Sequence, residues 1–140
     1  MEIFFRKALC HSCHKGAVFS DGEYHNIGVG FGEEQRDQGR SLFETDDYLK
    51  KLARFSFRTP PLRDIIRTPP YMHNGSLQSL RDVVEYYSRG GTADSDKDGR
   101  IKPLNLTDEE KADLVEFLAV GLKSGSYPHT EAPELPPDGQ

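Results

Sequence analysis

The sequence predicts an all-α domain threaded by long ordered loops, and three observations predict it. In "SLQSLRDVVEYY", residues 76–87, Leu77, Leu80, Val83, Val84 and Tyr87 recur at helical spacing, and "RGG" follows where a helix C-terminus favours glycine. In "LTDEEKADLVEFLAVGL", Thr107 and Glu110 stand at capping-box spacing ahead of Leu114, Phe117, Leu118 and Leu122. Nowhere does an apolar/polar alternation of period two persist long enough to read as a strand.

The remaining elements follow in order. Residues 3–14, "IFFRKALCHSCH", place Ile3, Phe4, Phe5, Ala8 and Leu9 at roughly helical spacing and predict a first helix. From Lys15 to about Asp46 the chain is rich in Gly, Asp and Asn, which favour turns, and a short helix is expected around residues 46–53. Residues 57–76 carry two Thr-Pro-Pro steps and read as a fixed, folded-back loop. Residues 1–123 then form one domain, and residues 124–140, with four prolines and little to bury, form a surface or disordered tail.

A chain of 140 residues with 35% hydrophobic content has a thin core for its length, so another apolar body is expected to help fill it. The net charge of −5 argues against a nucleic-acid groove, which needs a basic stripe. No apolar run approaches the length of a membrane span.

The chemistry concentrates in "ALCHSCHKG", residues 8–16, which holds both cysteines and two of the five histidines. Four readings fit a C-x-x-C-H. A disulfide would close a very short loop and stabilise little. A redox pair of the thioredoxin type wants a βαβ setting, and a zinc site wants two further convergent ligands. Covalent haem c uses every residue of the motif: Cys10 and Cys13 tether the porphyrin, and His14 presents its imidazole to the iron. It would also supply the apolar plate that the core lacks. On the iron's second face the candidates are Met72, His73, Tyr86 and Tyr87, each with an ordinary packing role as its alternative, and composition does not choose among them.

The succession "IFFRKALCHSCHKG", "FSDGEYHNIGV", "DQGR", "FRTPPLRDIIRTPPYMHNGSLQSLRDVVEYYSRGG" and "LNLTDEEKADLVEFL" resembles the second, C-terminal haem domain of the bacterial di-haem cytochrome c peroxidase and MauG family. The resemblance implies a cytochrome c-like haem domain in the periplasm, carrying one covalent haem c. It implies an electron-relay role toward a peroxide-reactive haem in an N-terminal domain or another chain, with a redox partner protein. The signal that export requires would lie upstream or have been removed. The alternative is a stand-alone mono-haem c-type electron carrier.

The resemblance also assigns residues. In the peroxidases a ligand methionine lies twelve residues beyond the glycine of the "PY-aromatic-H-x-G" loop; counted from Gly75, that position is Tyr87. In the MauG branch a tyrosine there binds iron, which implies a His14/Tyr87 haem with Met72 as the alternative ligand. A hard phenolate favours ferric and higher oxidation states, whereas a thioether favours ferrous iron. Thr68 and Pro70 match backbone ligands of an interdomain calcium ion, and Arg58 and Arg63 are candidates for pairing haem propionates. "DSDKDG", residues 94–99, mimics the start of an EF-hand loop but has Asn105 at the twelfth position; a solvated turn is the expectation there. His25 and Asn26 are expected to serve a structural role near the haem edge.

Overall fold

A computed structural model of the chain describes residues 1–125. Only Ser124 and Gly125 of the proline-rich tail therefore fall within it, and the expectation for the rest lies outside the described residues.

Two helices form the frame. Helix α2 runs Leu80–Ser88 and α3 runs Asp108–Glu116, and they pack on each other. Each begins at a reciprocal cap. Ser79 Oγ accepts from the Asp82 amide while Asp82 accepts from the Ser79 amide, and Thr107 and Glu110 repeat the arrangement. The α2 cap lies later than the periodicity predicts, because Asn74, Gly75 and Ser76 are held in a turn by the Asn74 side chain. A π-helical turn, Phe117–Gly121, continues α3 and returns the chain to Asp64, whose amide donates to the Leu122 carbonyl.

The first helix is shorter than expected. Ile3–Lys7 form a single π-helical turn, and Leu9 at φ +52° breaks the path before a 3-10 turn at Cys10–Ser12. Helix α1, Asp47–Leu52, sits where the sequence places it, with Asp46 capping the Tyr48 and Leu49 amides. The all-α expectation needs one correction: strands β1, Tyr24–His25, and β2, Phe57–Arg58, form a two-stranded antiparallel sheet with Tyr24 opposite Arg58. Strands of two residues cannot display an alternation, so nothing in the periodicity announced them.

The core lies between α2, α3 and the first turn. Phe4, only 1% exposed, meets Phe19 and Phe117 with ring centroids 5.8 and 5.3 Å away. Leu80, Val84, Leu114, Leu118 and Leu122 close it. By contrast, α1 and the 3-10 turn Arg40–Phe43 bury little: Leu42, Phe43, Tyr48 and Leu52 are all more than half exposed. No helix among the described residues is long and apolar enough to cross a membrane.

Candidate haem-attachment site

The break at Leu9 sets up the site. It turns Cys10–Ser12 back on themselves, so that Cys10 and Cys13 are both half-buried and unbonded to each other. Burial pushes the Cys10 thiol up to about 11 and moves Cys13 in the same direction. Both are therefore protonated at neutral pH, the opposite of the low-pKa thiolate that a redox dithiol needs.

His14 is held by its other nitrogen. Nδ1 lies 2.9 Å from the Phe19 carbonyl, which fixes the N–H there and turns the ring, while the Pro60 carbonyl also acts on the imidazole. Burial lowers its pKa, so the imidazole is neutral, the form that binds a metal.

Tyr87, at the end of α2, faces this loop. Burial first, and then the thiol of Cys10, drives its hydroxyl well above the ordinary phenol value; Cys13 adds to the effect. That phenol makes no hydrogen bond to another described residue. Tyr86 is different: its hydroxyl donates to the Ile27 carbonyl at 2.9 Å and meets Thr92 Oγ1 at 3.1 Å, which ties it to the loop scaffold. A cation near Tyr87 would reverse the sense of its shift, since a metal's charge dominates local titration.

The donor set fits a covalently attached haem: two neighbouring thiols, a neutral imidazole oriented through Nδ1, and a phenol at the end of α2 that feels both thiols and makes no hydrogen bond to another described residue. Cys10 and Cys13 would hold the porphyrin, and His14 and Tyr87 would address the iron.

The other predicted residues are committed to different partners. Met72 sits at φ +69° in a turn closed by the Gly75 amide, and His73 stacks flat on Phe57 with centroids 3.5 Å apart. Arg58 and Arg63 are exposed, and each uses Nε to hold a backbone carbonyl, of Gly22 and Ala17 respectively. Thr68 and Pro70 are exposed, and the Thr68 hydroxyl donates to the Ile65 carbonyl.

The EF-hand mimicry dissolves, and so does the expected solvated turn. Asp94 is buried and bound by Arg36 at 2.8 Å and by the Asn26 amide at 3.0 Å. Asp98 instead pairs with Arg100 at 2.6 Å and faces His25 at 3.1 Å. The two carboxylates thus serve as clamps between the 21–36 and 92–100 loops, and His25 and Asn26 take the structural role expected of them. Arg100 was not foreseen, because its partner His25 lies 75 residues away and no local pattern joins them. Cys13, Asp21 and His25 bring sulfur, oxygen and nitrogen within 4.8 Å of one another. Thioether formation at Cys13 would leave two donors there.

No family model matches the chain. It is 32% identical over 166 residues to the cytochrome-c peroxidase IdrP1 of Denitromonas iodatirespirans, a match that covers 99% of this chain and 43% of that protein. It is 37% identical over 116 residues to the methylamine utilization protein MauG of Methylorubrum extorquens, covering 83% of this chain and 31% of that one. This chain belongs to the di-haem cytochrome c peroxidase and MauG family.

Within that family it matches as the C-terminal haem domain, and it spans less than half the length of these curated relatives. Among solved structures, a MauG-like protein associated with microbial copper homeostasis superposes with a TM-score of 0.76 at 31% identity, over 87% of this chain and 45% of that one. A tyrosine-to-methionine variant of the di-haem peroxidase BthA from Burkholderia thailandensis shares the fold, with a TM-score of 0.68 at 22% identity over 89% of this chain and 41% of that one.

Proposed function

We propose that the chain is the electron-relay domain of a periplasmic di-haem oxidoreductase, carrying one haem c and serving a peroxide-reactive haem held in another domain or chain. When bound, haem supplies a one-electron iron couple. Everything else is the work of the chain's own side chains. Cys10 and Cys13 tether the group at its edge, and the Phe19 carbonyl holds the His14 ring by Nδ1 so that Nε2 keeps one orientation. Helix α2 carries Tyr87 close enough to feel both thiols, and its hydroxyl has no competing partner among the described residues.

The observation that carries this reading is the pairing of an oriented His14 with an unpartnered Tyr87 that feels both thiols. His14 and Tyr87 together would hold the iron and leave no place for an oxidant, which would assign the peroxide chemistry to the partner haem. The phenolate, a hard anionic ligand, favours the ferric state.

The test is the optical and low-temperature EPR spectrum of the haem-loaded ferric protein beside Tyr87→Phe and Met72→Leu. Loss of the native ligand signature in Tyr87→Phe alone supports the reading. A methionine-to-iron charge-transfer band in the far red that vanishes in Met72→Leu would instead identify a simple electron carrier.

A further inference from the structure

We propose that His25 takes up the proton that accompanies reduction of the haem iron, so that electron relay through this domain is coupled to proton transfer; this rests on the relay reading above. Its place beside the covalent motif is what suggests the role. Cys13 Sγ, a carboxylate oxygen of Asp21 and a ring nitrogen of His25 lie within 4.8 Å of one another. The imidazole therefore stands next to the sulfur that would tether the porphyrin, and it is close enough to His14 for the charges of the two rings to interact. Its side chain is only 14% exposed, so water screens such interactions weakly.

The hydrogen bonds around His25 serve both of its protonation states without turning the ring. In the neutral imidazole, Nε2–H donates to Asp21 at 3.1 Å and the Nδ1 lone pair accepts from Arg100 Nη2 at 2.8 Å. In the cation, Nδ1–H donates to Asp98 Oδ2, which already lies 3.1 Å away. Arg100 keeps its own hold on Asp98 through Nε at 2.9 Å and Nη2 at 2.6 Å. A purely structural histidine needs partners for one state; this one has them for two.

The charged and titratable groups that face His25 are Cys13 and His14 from the motif loop, Asp21 from its own segment, and Asp98 and Arg100 from the 92–100 loop. Opposite it on β2 stands Phe57, which carries no charge. Each of the charged neighbours is fixed in its state. Burial works against the Asp21 carboxylate, but hydrogen bonds, that of the Glu23 amide among them, outweigh it and keep its pKa low. The Arg100 guanidinium holds Asp98 ionised, and Asp98 in turn keeps Arg100 charged. Cys13 gives up its thiol proton when the thioether forms, and His14 is committed through Nδ1 and to the iron. His25 is left as the group whose proton can change. As one electron enters the iron from an electron-donor protein, one proton passes from water to Nδ1 of His25, and that N–H is the only bond formed. The way in runs past Asp98 and Arg100, whose side chains are 19% and 43% exposed. Linkage makes the effect reciprocal, so a proton on His25 raises the potential of the iron.

The test uses the haem-loaded chain, with haem content fixed first by the pyridine haemochrome assay, and reads the midpoint potential by optical redox titration from about pH 5 to about pH 9. The potential is expected to fall as pH rises, by up to about 59 mV per unit, the one-electron equivalent of a tenfold change in proton activity. In His25→Gln the slope should disappear. Asp98→Asn removes the carboxylate that receives the new N–H and should move the sloping interval down by about one pH unit, a tenfold loss of proton affinity. A wild-type potential that does not change with pH overturns the proposal without any variant. A slope that survives in His25→Gln overturns it too and assigns the proton to Tyr87 or to a haem propionate. Where that variant fails to fold, an unmoved interval in Asp98→Asn has the same force. A chain that takes no haem overturns the relay reading and this inference with it, whereas a flat potential in a haem-loaded chain overturns this inference alone.

Discussion

At the scale of single residues, the side chains that matter are those whose second contact is already decided. His14 has one nitrogen committed to a carbonyl, and Tyr86 has its hydroxyl committed to Ile27, which leaves Tyr87 as the free phenol of the pair. Asp98 shows what a committed charge does for stability. The Arg100 guanidinium holds its carboxyl down to about 2, below the ordinary aspartate range. A depressed carboxyl stabilises the fold above its unfolded value, and that contribution is lost as pH falls from about 4 towards 2. Asp98→Asn is expected to cost roughly 1 kcal/mol at neutral pH, because the partly exposed Arg100 is screened by water. Denaturation curves across the acid range should show the variant and the parent converging near pH 2; a gap that persists there would mean that the pair contributes by packing alone. The cysteine motif was legible in the sequence because it is a local pattern, whereas Tyr87 was singled out from the other ligand candidates only by the family resemblance. The Asp98–His25 contact was not legible, since it spans 73 residues.

At the scale of elements, the ends of the helices were more legible than the turns between them. The capping box of α3 could be read directly from Thr107 and Glu110. The break at Leu9 could not, since a leucine at positive φ goes against its own preference and is imposed by the surrounding contacts. The end of α2 depends on glycine in a way that is open to test. Gly90, at φ +85°, donates its amide to the Tyr87 carbonyl, and Gly91 does the same for Tyr86. A Cβ at Gly90 would lie 2.7 Å from the Pro103 nitrogen. Gly90→Ala is expected to cost about 2 kcal/mol or more, from left-handed strain and the collision together. Thermal melting measures that cost, and with Tyr87 bound to iron as proposed the ferric ligand signature should broaden as the end of α2 shifts. An unchanged melting point would show that the 102–103 segment yields freely.

At the scale of the whole molecule, two devices hold long loops to a short helical frame. One is the aromatic cluster at Phe4; Phe4→Ala should cost about 3–5 kcal/mol, measured by chemical denaturation of the haem-loaded chain. The other is the buried Arg36–Asp94 pair, whose side chains are 9% and 3% exposed. Asp94→Ala leaves Arg36 unpaired and is expected to cost about 3–5 kcal/mol, whereas the double change Arg36→Met with Asp94→Leu should lose much less. Equal losses in the single and double variants would mean that Asn26 and its neighbours, rather than the ion pair, carry the join. The architecture was legible in outline because helical periodicity and caps are written locally, while the sheet and the clamps depend on partners distant in the chain. The apolar side chains left uncovered on α1 and the Arg40–Phe43 turn bear on handling at the bench. With Phe43 76% and Leu52 63% exposed, the chain purified alone should be retained on a phenyl column and should scatter more light as ammonium sulfate is added, well before it unfolds.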